Sequence, residues 1–379
     1  MLQPGATIGM LGGGQLGRMF IVAARTLGYR VIVLEPDPHS PAGLLADQHI
    51  QAAYDDTQAL EQLGRSCEVI TTEFENIPAQ TLKKLSEYCP VHPSAEAVQV
   101  AQDRIVEKTF VRACGLSPVP FMPVRALADL SEAEKYIQFP AILKTARLGY
   151  DGKGQMTVKS IAEAELAFKQ FNQVDCVLEQ RVELEREVSV ILGRNQHGDV
   201  QCFPVAENEH RQGILHQTSV PARISVELEQ QAQQAAMTLA SQLNFVGVMA
   251  VEFFVTKSGE LLVNEMAPRT HNSGHYTLDA CVTSQFEQQV RMVCDLPFGS
   301  TRLVSPVAMI NLLGDLWPKG GQPDWLKVLS DPETKLHLYG KALARKGRKM
   351  GHYCTLAANA EEASHKANAI FQQLERVSE

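Results

Sequence analysis

Val246-Gly247-Val248-Met249-Ala250-Val251-Glu252-Phe253-Phe254-Val255 and Glu260-Leu261-Leu262-Val263-Asn264-Glu265-Met266 are two apolar, strand-like runs. The turn signal Lys257-Ser258-Gly259 joins them, and the pattern predicts a β-hairpin. With a two-residue Ser258-Gly259 loop, Lys257 pairs with Glu260 and Glu252 falls directly opposite Glu265. Directly opposed side chains have Cβ atoms about 5 Å apart. Two bare carboxylates at that spacing repel by roughly 3 kcal/mol at an effective dielectric near 20. A four-residue loop leaves the two acids as diagonal neighbours on one face, so the conclusion survives that change. A hard divalent cation compensates such a pair, and Mg held by one or two carboxylates plus nucleotide phosphates is the usual arrangement. Two solvent-facing acids paired with Lys or Arg are the plainer alternative. Asn264 points to the other face in an ideal strand.

Upstream, a strand at Ala141–Thr145 delivers Lys144 into Arg147-Leu148-Gly149-Tyr150-Asp151-Gly152-Lys153-Gly154-Gln155. A glycine-rich loop bounded by basic residues suits a lid over phosphates, and it equally makes a solvated hairpin tip. It is not a Walker A loop, because it lacks G-x-x-x-x-G-K-[ST]. Near the start, Gly12-Gly13-Gly14-Gln15-Leu16-Gly17 fits G-x-G-x-x-G between a strand and a helix, with Glu35 ending the next strand. That spacing serves a nicotinamide dinucleotide, another phosphate, or merely tight strand–helix packing. Downstream of the hairpin, Arg269-Thr270-His271-Asn272-Ser273-Gly274-His275 is dense in donors. His271 and His275 stand four apart, but Gly274 and the Asn-Ser pair favour a loop, and an anion site fits better than zinc. Lys341, Arg345, Lys346, Arg348 and Lys349 form a late basic cluster, either a solvated face or the closure of a phosphate site.

The chain of 379 residues corresponds to two or three domains at roughly 150 residues each. Hydrophobic residues at 45% and charged residues at 21% exclude a disordered chain. A net charge of −8 argues against general binding to nucleic acid. No apolar run is long enough to cross a bilayer, and Met1-Leu2-Gln3-Pro4-Gly5 does not begin like a signal peptide, so a cytoplasmic chain is expected. The eight cysteines are scattered with no CxxC, as for reduced thiols. Strands at Thr7–Leu11, Tyr29–Leu34 and Glu68–Phe74 alternate with helices at Gln15–Leu27 and Pro78–Tyr88, which predicts a parallel sheet. Beyond a helix near Asp103–Cys114, strands dominate: Gln155–Val158, Cys176–Arg181, Glu187–Leu192 and Val200–Val205, with helices at Ser160–Phe171, Val226–Gln242 and Ser284–Cys294. The remainder has strands near Val307–Leu313, Lys335–Leu338 and Tyr353–Ala357 and a helix Ala360–Arg376. The reading is α/β, then α+β, then a small α+β cap.

A glycine loop after a lysine-bearing strand, followed by a Glu…Asn-Glu hairpin, resembles the ATP-grasp superfamily. Within it the chain is most similar to the 5-(carboxyamino)imidazole ribonucleotide synthetases. The motifs are GGGQLGRM from Gly12, TTEFEN from Thr71, QDR from Gln102, GYDGKGQ from Gly149, NEMAPRTHNSGHYT from Asn264 and LYGKALARKGRKMGH from Leu338. They run from Gly12 to His352, nearly the whole chain.

The resemblance implies an ATP-grasp fold with a parallel-sheet pre-ATP-grasp domain at 1–97, an ATP-grasp domain at 98–298 with a lid at about 118–182, and a small C-terminal domain at 299–379. It implies carboxylation of 5-aminoimidazole ribonucleotide (AIR) with bicarbonate at the expense of ATP, through carboxyphosphate, in purine biosynthesis, by a homodimer. Arg104, Lys144, the loop Gly149, Tyr150, Asp151, Gly152, Lys153, Gly154 and Gln155, and Glu179, Gln180, Arg181, Val182, Glu187, His210, Asn264 and Glu265 would hold the nucleotide. Glu252 and Glu265 would bind Mg. Gln15, Leu16, Glu73, Tyr150, Arg269, His271, Lys341 and Arg348 would receive AIR and bicarbonate, with Asp151, Arg269, His271 and Lys341 acting in the chemistry. Relatives often carry Gly where this chain has Arg181. A nicotinamide dehydrogenase, a related ligase or transformylase using formate, and a non-catalytic nucleotide-binding module remain the competing readings.

Overall fold

The computed structural model describes residues 1–149, 154–318 and 321–378. Strands β1 (Thr7–Leu11), β2 (Arg30–Leu34), β3 (Gln48–Ile50), β4 (Val69–Thr72) and β5 (Val91–His92) form a parallel sheet in the order β3-β2-β1-β4-β5. β1 and β4 are buried along their whole length, which explains runs without polar alternation. The helix Gln15–Thr26 follows β1 and ends where Gly28 takes φ +85°. Its Phe20 and Ile21 share a core with Phe286, Val290 and Val293 of the helix Gln285–Val293. The first sheet is thereby seated on the middle of the chain.

Strands β6 (Phe121–Val124), β7 (Ala141–Thr145), β8 (Gln155–Val158) and β9 (Cys176–Gln180) make a small antiparallel sheet in the order β6-β9-β7-β8. The helix Ile161–Gln170 covers it through Ala164, Ala167 and Phe168.

The third sheet has nine strands. These are β10 (Leu184–Arg194), β11 (Val200–Cys202), β12 (Ala206–Arg211), β13 (Ile214–Val220), β14 (Gly247–Thr256), β15 (Leu261–Ala267), β16 (Val307–Leu313), β17 (Thr334–Leu338) and β18 (Lys349–Leu356). Their order is β15-β14-β10-β12-β13-β16-β18-β17, with β11 pairing on β10. The β13–β16 pairing carries the sheet from the middle of the chain into its last eighty or so residues without a break. The alanine-rich face of Val226–Gln242 packs under β10 and β14, and Ala360–Ser378 covers β16 and β18.

The hairpin β14–β15 reaches its expected register by an unexpected route. Thr256, rather than Lys257, closes the turn, donating its N–H to the Glu260 carbonyl at 2.9 Å. That slips the pairing by one residue, so Val255 faces Leu261 and Phe253 faces Val263. A β-bulge at Asn264 then restores it, and Glu252 stands directly opposite Glu265. The bulge also breaks the alternation that would have turned Asn264 to the other face.

β12 and β13 were not anticipated. Their sequences, AENEHR and ILHQTSV, place polar residues on inward positions: Asn208, Gln217, Thr218 and Ser219 are all buried. A hydrophobic-alternation reading misses a strand whose inner face serves a polar network.

One buried amide ties the first sheet to the third. The Gln289 Nε2 donates to Thr71 Oγ1 at 2.9 Å, while its Oε1 accepts from the Val248 N–H. Gln289→Leu removes both bonds and strands a buried N–H. It is expected to lower the unfolding free energy by about 1–3 kcal/mol, read as a shift in denaturant midpoint.

Candidate active site

A cleft of about 1500 Å³ opens where the three sheets meet. Gln15, Leu16, Glu73, Arg104, Lys144, Gly149, Gln155, Glu179, Gln180, Arg181, Val182, Glu187, His210, Glu252, Asn264, Glu265, Arg269, His271, Lys341 and Arg348 all line it. Gly154 stands outside this lining, its φ of +69° placing it against Thr145. Tyr150, Asp151, Gly152 and Lys153 lie outside the described residues.

The floor is the opposed pair. Burial and the neighbouring Glu265 push the Glu252 carboxyl up. Burial opposes ionisation of Glu265 as well, but Arg104 and Lys144 outweigh it and hold that carboxyl down. Arg104 Nη1 lies 3.2 Å from Glu265 Oε2, and its Nη2 donates to the Gly149 carbonyl at 3.1 Å. A pair in which one acid ionises at the other's expense, in a cleft, has the donor chemistry of a divalent-cation site completed by phosphate oxygens.

Beside it stands a buried charge cluster. The Glu179 carboxylate sits between Lys144 Nζ at 2.7 Å and Lys108 Nζ at 3.2 Å. Burial would raise Glu179, yet the two lysines hold it at about 2. Lys108 also donates to the carbonyl of the bulged Asn264 at 3.1 Å. Its neighbour Glu107 accepts from the Met266 N–H and is pushed up to about 8 by burial, the lysine only partly offsetting this. The sequence reading missed Lys108 and Glu107. Their signal is spacing: Arg104, Glu107 and Lys108 stand at i, i+3 and i+4 on one helix face, which packs inward rather than toward water.

At the far wall, His210 Nδ1 meets Glu187 Oε2. Burial alone would keep His210 neutral, but the bond to Glu187 and the charges of Glu252 and Glu265 raise it to about 9. The Arg181 N–H donates to the Pro140 carbonyl at 3.2 Å, so an Arg at this position leaves the backbone course of the β9–β10 connection anchored.

The donor-rich loop is held from behind. Arg269 makes a two-pronged contact with Glu75, Nη2 donating to Oε1 at 2.9 Å and Nε to Oε2. Gln285 clamps the His271 backbone, accepting its N–H at 2.9 Å and donating to its carbonyl at 2.7 Å. His271 Nε2 lies 3.6 Å from Glu252 Oε1. Opposite, Lys341 Nζ donates to the Lys349 carbonyl at 2.8 Å, and Arg348 Nη1 to the Leu343 carbonyl at 2.8 Å.

The first glycine loop carries an internal anion. Glu73 accepts from the Gly14 N–H at 2.6 Å and the Gly17 N–H at 2.9 Å, at the helix start where a dinucleotide's pyrophosphate would sit. A Cβ on Gly12 or Gly14 would meet the Glu73 side chain at 2.8 Å. Glu35 is engaged by the Tyr54 hydroxyl at 2.6 Å. The glycines make room for carboxylates, and the nicotinamide reading loses its site.

Comparison with known proteins agrees with this layout. The ATP-grasp domain model matches residues 109–286, the ribonucleotide synthetase preATP-grasp domain residues 5–102, and the phosphoribosylaminoimidazole carboxylase C-terminal domain residues 307–366. The N5-carboxyaminoimidazole ribonucleotide synthase of Bacillus subtilis (strain 168) is 45% identical over 93% of this chain and 92% of its own. The chain belongs to the N5-carboxyaminoimidazole ribonucleotide synthase family.

Members are ATP-grasp ligases of purine biosynthesis, and so is this chain. An N5-carboxyaminoimidazole ribonucleotide synthetase solved as its ADP complex superposes with a TM-score of 0.92, at 43% identity over 99% of both chains. The synthase of Aspergillus clavatus, solved with ADP and 5-aminoimidazole ribonucleotide, has a TM-score of 0.90 at 30% identity, covering 98% of this chain and 99% of its own. In this synthase family member, Glu75 is the residue the sequence reading passed over most easily. It stands two residues after Glu73 in TTEFEN, in the turn that follows β4.

Glu75 supplies a pH test. Burial would raise its carboxyl, but Arg269 outweighs burial and holds it at about 2, below the ordinary 4.5. A depressed folded value contributes stability that is present above about 4.5 and lost as pH falls through about 2. Glu75→Gln should cost about 3–5 kcal/mol at pH 7 by leaving Arg269 buried without its partner. The gap to wild type should narrow as pH falls through that window, which denaturant midpoints at a series of pH values would measure.

Proposed function

We propose that this chain carboxylates the exocyclic amine of 5-aminoimidazole ribonucleotide with bicarbonate, converting ATP to ADP and phosphate, as a cytoplasmic homodimer. The observation that carries the reading is that the opposed Glu252–Glu265 pair and the Arg269–His271 loop open into one cleft. A phosphate donor held by the first therefore meets an oxyanion held by the second.

Bicarbonate is a poor electrophile because hydroxide leaves badly. In the first step a bicarbonate oxygen bonds to the γ-phosphorus of ATP and the bond to the β–γ bridging oxygen breaks, giving carboxyphosphate and ADP. Phosphoryl transfer asks for positioning and charge neutralisation more than for covalent help. Lys144 and Arg104 offer positive charge beside the phosphates, and Gly149 through Gln155 would cover them. The two acids fit magnesium, whose bound charge would offset that of the phosphates. His210 and Glu187, with Glu179, Gln180, Arg181 and Val182, would hold the nucleoside end, Glu187 at the ribose hydroxyls. The Asn264 bulge seats Glu265 against Arg104.

In the second step the amine nitrogen bonds to the carboxyl carbon as the carbon–oxygen bond to phosphate breaks, or it captures CO2 after that bond has broken. Arg269 and His271 would hold bicarbonate and the intermediate. Gln15, Leu16, Glu73, Tyr150, Lys341 and Arg348 would hold AIR, and Asp151 would orient its amine or take its proton. We take 1–97, 98–298 and 299–379 as the three functional units, with a lid at about 118–182. A closed lid matters because carboxyphosphate is lost in open water.

ADP release measured with AIR and bicarbonate withheld in turn tests the assignment. Turnover should require both, and formate should not replace bicarbonate. Glu265→Gln and Arg269→Ala should each reduce product formation by about 100-fold or more. Full turnover in Arg269→Ala, or ADP release indifferent to AIR, ends the reading.

A further inference from the structure

Behind His271 a line of buried polar side chains crosses the large sheet. Thr218 Oγ1 on β13 donates to Asn208 Oδ1 on β12 at 2.9 Å. Asn208 Nδ2 donates to Ser189 Oγ on β10 at 3.0 Å, and Ser189 Oγ donates to Ser273 Oγ at 2.9 Å. Ser273 Oγ then reaches His271 Nδ1 at 2.9 Å. Thr218, Ser189 and Ser273 are fully buried, and Asn208 nearly so. No water or ligand is needed to complete the line, and none of its members except His271 lines the cleft.

The line has a direction. Hydroxyls and an amide could in principle run either way. The Ser273 backbone N–H cannot, and it points at the same His271 Nδ1 at 3.3 Å. A ring nitrogen that faces a fixed N–H must be the unprotonated one. Ser273 Oγ therefore also donates to it, Ser189 donates to Ser273, and Asn208 donates to Ser189. Each proton in the line is turned toward His271. An imidazole whose Nδ1 only accepts carries its single N–H on the other ring nitrogen. The proton is then on Nε2, the atom on the Glu252 side.

We propose that Asn208, Ser189 and Ser273 are positioning residues that lock His271 as the neutral Nε2–H tautomer, so that it serves as a hydrogen-bond donor to the carboxyl group being transferred and not as a proton acceptor. The inference rests on the reading of the Arg269–His271 loop as the bicarbonate site. It assigns the chemistry of that site: an oxyanion receives a directed donor, and the proton lost by the amine goes elsewhere. It also gives a reason for the burial of Asn208 on β12 and Thr218 on β13. A tautomer set through Ser189, Asn208 and Thr218, which stand on β10, β12 and β13, is held by the sheet and not by the loop alone.

The test has two arms. Nitrogen-15 spectra of histidine-labelled, full-length, ligand-free chain separate protonated from bare ring nitrogens, with the His271 signals identified by their loss in His271→Asn. The expected result is a protonated Nε2 and a bare Nδ1; a protonated Nδ1 overturns the inference and leaves the site reading standing. In the second arm, Asn208→Asp cannot donate to Ser189, which reverses the hydroxyls, and Ser189→Ala cuts the line. Both should lower kcat for product about 10- to 100-fold with KM for ATP little changed. Folded variants with wild-type kcat overturn the inference, and should a variant not fold, the wild-type spectrum decides alone. Undiminished turnover in His271→Asn removes the site reading, and the inference with it.

Discussion

Two carboxylates forced face to face on a buried β-ribbon are the constraint around which this cleft is arranged. Glu252 and Glu265 cannot both ionise there unaided, and the protein does not resolve the conflict by covering them. It places Arg104 on one of them and leaves the other raised, next to His210 and His271. Three separate sheets bring their edges to this point. The helix Arg104–Ala113 supplies the counter-charge, the small sheet supplies Lys144, and the loop after β15 supplies Arg269 and His271.

The bulge at Asn264 shows how narrow the geometric tolerance is. The turn at Lys257-Ser258-Gly259 closes one residue away from the simplest register, which would leave the acids staggered. One extra residue in β15 brings them level and also turns the Asn264 carbonyl toward Lys108, which in turn braces Glu179. A local irregularity of the backbone thus sets both the facing of the two acids and the charge cluster beside it. The buried lysines and glutamates would be costly one by one. They are tolerable because Lys108 and Lys144 both face Glu179 at hydrogen-bond distance, while Glu107 accepts the Met266 N–H and is pushed toward its neutral form.

Much of this was readable in the residues. Apolar runs without alternation announced the parallel sheet, and β7, β8 and β16 have the expected bounds to the residue. The facing of the two acids follows from a turn register that the chain does not use, because the slip at Thr256 and the bulge at Asn264 cancel. The parts that were not legible share one cause. Lys108 and Glu75 act through partners that are remote in the chain, 71 residues on for Lys108 and 194 for Glu75. Local pattern carries no trace of such pairings. Polar residues on inward positions read as loop or surface until the partner is known. The glycine loop misleads in the opposite sense, since a strong local motif is occupied by a distant Glu73.

That last case generalises across the cleft. Several donor groups that line the cleft hold an internal carboxylate, while Lys341 and Arg348 donate to backbone carbonyls. Glu73 takes the N–H groups at the first helix, Glu75 takes Arg269, Glu179 takes Lys144, and Glu187 takes His210. An empty cleft lined with unpaired cations would pay the full cost of burial and repulsion, and its side chains would have no fixed direction. The internal acids remove that cost while using only part of each donor set. Arg269 keeps N–H groups beyond those given to Glu75 and the Thr270 carbonyl. On the proposed reading, an arriving phosphate or carboxyl group would meet donors whose positions were set by folding, and binding would not have to order them.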